Sequence, residues 1–600
     1  MSRVLVSMLV LLSMLAPVAS ADDALKNALS VIPSNAMAVV SVPNVKTMDA
    51  DFQAAIARLE LQQMLPFQSL VTFVQEQAPF LAGLEPNAAL TLVIMPAMSL
   101  PELQTKQVIL VPSKDPQAMI EGMGGQAGEG GMWTVMMFGQ PAQAIIHKNH
   151  VVIAQAPEVL NAIKSAEETL ANKIDSPELA SMADMDLVLW LDADQLFALV
   201  KPMVQMMMQS MVAMQASRGA FAQKSAEMNK DQVDMFMDGA AAMSLGIGLG
   251  ESGVTFRGAI KAKPGTELAK QTIVKVTADS LLEGLPGGAY VAAFGGITSR
   301  EQLEAGMKSL NMFVSMLSDV EGVNQEKAGM LKDHLEKMFM SMTGSHAVIE
   351  SLEPGPGGLI GATFIANTSD SAAYLDHSKK VFDLAKEMVN DAGDKIDDEV
   401  KKFIDSITLE REAEEVAGVK VDVLMIDLAK LEDLDEEDIA DIKKIIGDEG
   451  VKVRMAPANN TTVAIVFGGG TARFEQALKQ AQSAAAPLAQ DAGIQKMAAL
   501  IPPQRNQVGY LAVDNAMNLV QNLIKAADEE PLPFETPKVD APLTFASTGG
   551  DNWVRIDVIV PMDLIVAGKN VGMSMMGGQP PAAGMPAGGP PPTMEDDVNE

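Results

Sequence analysis

The sequence contains no cysteine among its 600 residues. Disulfides, thiol nucleophiles and cysteine-ligated metals are therefore excluded. With five scattered histidines as well, most hydrolytic and redox machinery lacks its usual catalytic groups. Neither a G-x-S-x-G nucleophile elbow nor an H-E-x-x-H zinc motif occurs. From the sequence we assign no catalytic, cofactor-binding or metal-binding residue.

Aromatic residues make up only 4% of the chain, which weakens a carbohydrate-binding interpretation because sugar sites usually stack on exposed rings. Basic residues are outnumbered, with 44 lysines and arginines against 77 acidic residues and a net charge of -33. A field of this sign repels phosphate backbones, so we expect no nucleic-acid partner. Methionine is abundant, at 43 residues, and it fills irregular cores and adaptable surfaces.

The N-terminus has the pattern of a secretory signal peptide. Arg3 supplies a positive charge, residues 4–18 are almost wholly apolar, and the small residues Ala19 and Ala21 form an A-x-A cleavage site. We predict a signal peptide over residues 1–21, with cleavage before Asp22 and export to the periplasm or the extracellular space. Without cysteine, a lipoprotein anchor is excluded.

Two further stretches bear on whether the mature chain spans a membrane and on where it is disordered. The most apolar later stretch, Ile556 to Ala567, is interrupted by two aspartates and a proline, so we expect no stable membrane span. From Gly577 to Pro592, 11 of 16 residues are glycine or proline. Such a composition cannot bury enough surface to offset its ordering entropy, so we predict a disordered tail over residues 574–600.

Between these ends the chain repeats one order of signals. Each half opens with a proline, a short turn and a β-type run, at residues 32–42 and 285–294. Each closes with two β-type runs around a glycine-containing turn, at residues 243–260 and 543–560. The intervening strand-like and helix-like segments match more loosely, but they follow the same order in both halves. This order indicates an internal duplication.

The fold class we predict is therefore α+β, with two diverged repeats of antiparallel sheet. The first repeat is expected over residues 22–270 and the second over residues 271–573, with the junction between Pro264 and Leu285. Helices are expected to return over one face of each sheet.

The opening Ile32-Pro33-Ser34-Asn35-Ala36-Met37-Ala38-Val39-Val40, the two α+β halves and the Pro/Gly-rich acidic tail resemble uncharacterised exported proteins of planctomycete-type bacteria. The resemblance covers most of residues 25–565. It implies export, but it implies no activity and transfers no site residue.

A methionine stripe has the spacing of one helical face. We expect it to pack in the core or against a partner, with the core favoured, because methionine-rich helices commonly pack. The alternative is a Cu(I) site, since thioethers suit that soft ion. The stripe comprises Met203, Met206, Met207, Met211 and Met214, with Met208 beside it.

His147 and His150 form the closest histidine pair in the sequence. The local pattern is a hairpin turn, and no third ligand is indicated, so solvated turn histidines are favoured over a metal site. Residues 468–471, Gly-Gly-Gly-Thr, resemble part of a phosphate loop, but no G-K-[ST] follows. We expect Thr471 simply to cap the next helix.

Residues 391–450 contain 21 acidic residues. Counted from Asp433, the sixth position of a calcium loop holds Asp438 where an EF-hand needs glycine. A solvated acidic helix is therefore favoured over a calcium site, and cation binding by the segment is left open. Its apolar side is formed by Ile439, Ile442 and Ile446.

Two functions remain open. The first is a non-catalytic exported protein that acts through contacts with an envelope protein. The second is a carboxylate- or metal-dependent hydrolase whose groups are not revealed by local motifs. An apolar groove would favour the first, and converging carboxylates of shifted pKa would favour the second.

Overall fold

The computed structural model describes residues 21–575 apart from short gaps. The gaps are residues 63–66, 68, 78–80, 82, 100, 138–139, 219, 319–323, 393–397, 432–433, 528–529 and 531–535. The predicted signal peptide up to residue 20 and the predicted tail from residue 576 lie outside the described residues. The last helix extends to Met575, two residues into the predicted tail.

The first repeat forms ten strands and ten helices within the described residues. The strands are β1 (Ala38–Val42), β2 (Leu90–Ile94), β3 (Gln107–Pro112), β4 (Gln126–Ala127), β5 (Trp133–Met137), β6 (Gln140–His147), β7 (His150–Ala154), β8 (Leu187–Asp192), β9 (Ala240–Gly250) and β10 (Gly253–Ala262). The helices are α1 (Ala21–Leu29), α2 (Val45–Arg58), α3 (Leu70–Gln77), α4 (Pro116–Gly122), α5 (Pro157–Lys164), α6 (Leu170–Lys173), α7 (Ser176–Ala183), α8 (Ala193–Ala216), α9 (Ala220–Gly239) and α10 (Glu267–Thr272).

The second repeat forms ten strands and nine helices within the described residues. The strands are β11 (Tyr290–Ile297), β12 (Met342–Ser351), β13 (Ile360–Thr368), β14 (Ile407–Val416), β15 (Val419–Ile426), β16 (Val451–Asn459), β17 (Thr462–Phe467), β18 (Gln507–Leu511), β19 (Leu543–Gly550) and β20 (Trp553–Pro561). The helices are α11 (Arg300–Ser318), α12 (Gln325–Ser341), α13 (Ser371–Ala392), α14 (Asp398–Ser406), α15 (Glu436–Ile446), α16 (Gly470–Ser483), α17 (Ala492–Ala498), α18 (Val513–Ala526) and α19 (Met562–Met575).

Several helices begin where the sequence supplies a capping side chain. The Asn44 side chain accepts hydrogen bonds from the backbone N–H groups of Lys46 and Thr47 at the start of α2. Asp115 caps α4, whose first residue is Pro116. Such side chains satisfy backbone donors that have no partner in the first turn, and proline there loses no hydrogen bond.

Both repeats arrange their strands in the same antiparallel order. The first repeat has the order β4-β5-β6-β7-β3-β2-β1-β8-β9-β10, and the second has β14-β15-β16-β17-β13-β12-β11-β18-β19-β20. Each strand of the first repeat thus has a counterpart in the second. The prediction of an α+β fold built from two diverged repeats is confirmed.

The two repeats join through their last strands. β10 pairs antiparallel with β20 from Gly253 opposite Pro561 to Lys261 opposite Trp553. All 20 described strands therefore belong to one continuous sheet. Arg257 and Asp557 lie opposite each other at the centre of this strand pair. They also occupy equivalent positions in the hairpins β9–β10 and β19–β20.

The last helix of each repeat also contacts the other repeat. α10, which ends the first repeat, contacts α11 and β20 of the second repeat. α19, which ends the second repeat, contacts β10 of the first. Asp563 of α19 forms an ion pair of 2.6 Å with Arg58 of α2, and Lys569 donates to the Leu59 carbonyl. This reciprocal arrangement ties the halves together beyond the shared strand pair.

Helices cover both faces of the sheet in the first repeat, so the expectation that they return over one face is wrong. Val39 of β1 packs with Leu25 of α1 and Leu160 of α5. Val42, which points to the opposite face, packs with Met48 of α2 and Ile120 of α4. Long antiparallel strands with apolar residues on both faces need cover on both sides.

Candidate functional site

The helical hairpin α8–α9 connects the neighbouring strands β8 and β9. Asp192 begins it, because its side chain accepts a hydrogen bond of 3.0 Å from the backbone N–H of Gln195. At its base, Phe197 of α8 and Phe236 of α9 meet edge to face with ring centroids 5.7 Å apart. Both phenylalanines pack against residues of β9 and β10. The hairpin is therefore anchored to the sheet at one end.

The buried side of the hairpin is apolar. The solvent-facing sides of α8 and α9 differ in charge. Met208 of α8 is buried, as are Ala226 and Met237 of α9. On α9, Asp231 is exposed to solvent, and Lys230 forms an ion pair with Asp234 at 2.8 Å. From Pro202 to Ala216, α8 contains no charged residue.

The methionine stripe is exposed, which corrects the expectation that it packs in the core. We call the exposed residues Met203, Met206, Met207 and Met214 the Met face of α8. Their side chains are 59%, 72%, 62% and 57% exposed, respectively. The spacing does indicate one helical face, but that face is exposed: among these methionines only Met208 is buried, and Met211 is half-buried. The Cu(I) alternative stays a prediction.

The same helix is the one described segment that could cross a membrane by length and composition. It has 24 residues with a mean hydropathy of 1.3, and 6% of its apolar window is buried. Ile556–Ala567, the later stretch singled out from the sequence as most apolar, lies in strand β20 and helix α19. Length and composition alone do not distinguish a membrane span from an exposed binding helix.

The central strands leave one sheet face open beside the hairpin. Phe256 of β10 lies opposite Ile247 of β9, and Gly258 lies opposite both Leu245 and Ile556. Strand alternation therefore places these apolar side chains on one face. We call this the open sheet face, and it also includes Phe294 of β11. The exposed fractions are 57% for Leu245, 38% for Ile247, 46% for Phe256, 39% for Ile556 and 52% for Phe294.

The hairpin base adjoins this open sheet face. Phe197, Phe236, Met243 and Ile260 all pack against one buried cluster, and Met243 lies opposite Ile260 in the β9–β10 pair. Met243 is two residues before Leu245, so both side chains point to the same face. The Met face and the open sheet face are thus built on adjoining elements.

Two carboxyl groups near the start of β8 have shifted pKa values. Burial raises the pKa of Asp186 to about 7, although the backbone N–H of Leu249 donates to its carboxylate at 2.5 Å. Burial and then the charge of Glu251 raise the pKa of Asp51 on α2. Both carboxyl groups thus have raised pKa values. Asp186 is, however, only 8% exposed, and its carboxylate accepts a hydrogen bond from strand β9.

A separate cavity of about 230 Å³ lies between β11, α17 and α18 in the second repeat. Asp491, Asp514 and Asp540 line it together with the buried Tyr290. Burial, and then the charge of Asp491, raises the pKa of the Tyr290 phenol. The Asp491 carboxylate caps α17 by accepting from the Ile494 N–H, so this group is engaged in holding the fold.

The histidines predicted to lie in a turn do so. His147 and His150 end β6 and begin β7 and pair directly across the hairpin. His150 is buried, not solvated, and its Nδ1 lies 2.8 Å from the Lys148 carbonyl. Burial lowers the pKa of both imidazoles. In the described part of the chain, no group of three or more His, Asp or Glu side chains is placed to hold a metal ion.

The structure brings together a histidine pair that sequence spacing did not reveal. His334 of α12 and His377 of α13 are separated by 43 residues, and their Nδ1 atoms are 3.1 Å apart. No local motif signals this contact, because it depends on how two helices pack.

The densest part of the acidic segment forms helix α15, with half-buried isoleucines at 439, 442 and 446 as expected, whereas the earlier part forms α14, β14 and β15. Asp435 and Asp438 form a capping box at its start. Acidic residues are favourable there because the helix N-terminus carries partial positive charge. Fold stability thus accounts for part of this acidic run.

Thr471 does not cap helix α16, so that expectation is wrong. Gly469 is the N-cap residue, and no side chain supplies a capping bond. Gly468, Gly469 and Gly470 all have φ near +70°. This backbone conformation favours glycine and carries the chain from β17 into the helix without a hydroxyl cap.

Comparisons with known proteins identify no family. No family model and no curated protein matches the chain. Among solved structures, crystal forms IV and I of TP0453, a spirochete protein, match with TM-scores of 0.20 and 0.19 and sequence identities of 8% and 10%. These matches cover 49% and 48% of this chain and 97% and 96% of the other. At this level of similarity they carry no argument about fold or function.

Proposed function

We propose that this chain is an exported, non-catalytic protein that acts by binding another protein of the cell envelope or its surroundings. The binding surface is the Met face of α8. The observation that supports it most is the exposure of four methionines on a helix with no charge between Pro202 and Ala216. Exposed apolar patches of this kind on a soluble surface are typical of interaction sites.

The chemistry of the surface indicates the class of partner. Methionine side chains are flexible and polarizable, so one methionine surface adapts to different apolar partners. The uncharged stretch of 15 residues is about 22 Å long, which suits an apolar helix side laid along it. The chain has a net charge of -33, so a partner with basic residues beside its apolar face is favoured.

The open sheet face extends the apolar area available to such a partner. Phe256 and Ile556 lie at equivalent positions of the two repeats on this face. The face adjoins the base of the hairpin, so a partner on the Met face has further apolar contacts within reach. We therefore propose one occupant, a basic amphipathic helix.

The alternative of a carboxylate-dependent hydrolase is supported by the raised pKa values of Asp186 and Asp51 and by the cavity that three aspartates line. Shifted carboxyl groups are frequent at catalytic sites. Asp186, however, is buried and accepts a backbone hydrogen bond, which suits a structural group better than one that meets substrate. We therefore keep the binding function as the proposal.

A peptide titration tests the proposal. The probe is a fluorescent amphipathic helical peptide of leucine and lysine, and the readout is fluorescence anisotropy at physiological salt. We expect saturable binding that weakens by about tenfold or more when Met203, Met206, Met207 and Met214 are all replaced by serine, because the apolar contacts are lost.

The matched control is Met98→Ser, which removes an isolated methionine that is 91% exposed. This variant should bind like the unaltered protein. Equal binding by the fourfold serine variant would contradict the proposal, as would binding to neutral lipid vesicles with none to the peptide. In the latter case the Met face would be a membrane surface.

A further inference from the structure

The second repeat holds two imidazoles in direct contact, away from the Met face. His334 lies on α12 and His377 on α13, with ring centroids 5.2 Å apart and ring planes inclined by 37°. Their Nδ1 atoms are separated by 3.1 Å. Both side chains are half-buried, so water and small ions reach them.

The two helices that carry the pair are packed firmly against each other. Ala328 and Leu331 of α12 form a buried cluster with Leu384 and Met388 of α13. Lys327 of α12 forms ion pairs of 2.8 Å with both Glu387 and Asp391 of α13. Side chains on packed helices hold their relative positions better than side chains on loops.

We infer that His334 and His377 bind a divalent transition-metal ion of the zinc class through their Nδ1 atoms. Zinc–nitrogen bonds are about 2.0–2.1 Å long, so two such ligands in near-tetrahedral geometry have nitrogens roughly 3.3–3.4 Å apart. The observed separation of 3.1 Å meets this requirement with little movement.

Metal binding at this pair needs a change of tautomer in one ring and a rotation of the rings that makes both Nδ1 lone pairs converge on the ion. Two neutral imidazoles in contact share one Nδ1–H, which donates to the other Nδ1. When both Nδ1 lone pairs bind a cation, each ring carries its proton on Nε2, so no net proton is released from the neutral pair. The remaining coordination positions are open to water or to a carboxylate from a bound protein.

Two carboxylates and two lysines lie around the histidine pair. Asp333 and Asp376 are each adjacent in sequence to one of the histidines. Asp333 pairs with Lys337 at 2.6 Å, and Asp376 pairs with Lys380 at 2.7 Å. Each carboxylate is thus paired with a lysine, so these four groups add no net charge beside the histidines.

The other histidine pair lacks this arrangement. His150 is buried in the hairpin, and its Nδ1 is engaged by the Lys148 carbonyl at 2.8 Å. His147 therefore provides a matched control. The inference does not depend on the proposed function, since it rests on separate elements of the second repeat.

Zinc titration of the purified protein by isothermal calorimetry tests the inference. We expect one ion to bind per chain with a dissociation constant below about 100 µM. His334→Gln and His377→Gln should each weaken this binding by about tenfold or more, because each removes one of two ligands. His147→Gln should leave it unchanged.

Thermal unfolding without metal confirms that the glutamine variants are folded, and imidazole NMR gives a second readout. Zinc should move the resonances of two of the five histidines, and the glutamine variants assign them to positions 334 and 377. No saturable binding below about 100 µM would overturn the inference. Binding that survives the double glutamine variant, or shifts confined to His147 and His150, would overturn it equally.

Discussion

The guanidinium of Arg257 lies opposite the carboxylate of Asp557, with Nε 2.6 Å from Oδ1. Both side chains are buried, at 6% and 2% exposure. They occupy equivalent positions of the two repeats, so the pseudo-twofold relation between the repeats passes through this pair. Two identical repeats would place like residues here, whereas the diverged chain places opposite charges.

Removing Arg257 takes away one of two cationic partners of the buried Asp557 carboxylate, because the Arg555 Nε also donates to that carboxylate at 2.8 Å. Arg257→Met should lower the free energy of unfolding by about 1.5–3 kcal/mol, through the loss of hydrogen bonds to a charged group. Urea denaturation measures the loss. The control is Arg300→Met, which breaks an exposed pair with Glu304 and should cost less than about 1 kcal/mol. Equal losses in both variants would mean that the junction contributes nothing special.

Stability should depend on pH through Asp186. Its pKa rises from 3.8 to about 7 on folding because the carboxyl is buried, so the folded protein holds the proton more tightly than the unfolded chain. This contribution is fully present below pH 3.8 and is lost as the pH rises through about 7. At pH 8, Asp186→Asn should therefore be more stable than the unaltered protein by roughly 4 kcal/mol.

Chemical unfolding of Asp186→Asn between pH 4 and pH 8 checks this expectation. The gain should shrink towards pH 4, where the carboxyl approaches protonation in the unfolded chain as well as in the folded protein. Asp194→Asn replaces an exposed carboxylate and should show no comparable trend. A gain independent of pH would point to packing and not to titration.

Two methionines on α8 should differ sharply in their contribution to stability. Met208 is 7% exposed and Met206 is 72% exposed. Met208→Ala should lower the free energy of unfolding by about 2–4 kcal/mol through cavity formation, while Met206→Ala should change it by less than about 0.5 kcal/mol. Thermal unfolding of the two variants decides the matter. A large cost at Met206 would show that the Met face packs against the body.

The turn into α16 offers a test of backbone geometry against capping. Thr471→Ala should be nearly neutral, because the threonine makes no capping bond. Gly468→Ala should cost about 2 kcal/mol or more, because its φ is +71° and a Cβ atom would lie 2.2 Å from the Ile360 carbonyl oxygen. If the threonine variant is the more destabilised of the two by urea unfolding, this assignment of the turn is wrong.

Much of the fold could be predicted from local sequence signals. The hairpins β9–β10 and β19–β20 follow from alternating apolar runs around glycine-containing turns, and the order of elements reveals the duplication. The pairing of β10 with β20 could not be predicted, because it joins residues 300 positions apart and leaves no periodic trace in either strand.

The candidate site was predictable in part. The methionine periodicity correctly indicates a helical face, but the same spacing serves a face in the core and a face towards a partner. Only the placement of α8 on the sheet shows that Met208 is buried and Met206 is not. The contact of His334 with His377 likewise arises from the packing of α12 on α13, which no spacing of residues predicts.

Hydrogen–deuterium exchange of the purified protein with and without the leucine–lysine helical peptide tests the central claim most directly. Binding to the Met face should slow exchange between residues 202 and 216 of α8, and between residues 243 and 258 on the adjoining strands. Helix α12, on the other repeat, should exchange at an unchanged rate. Slowed exchange confined to α12 or to the cavity lined by Asp491, or none at saturating peptide, would contradict the account.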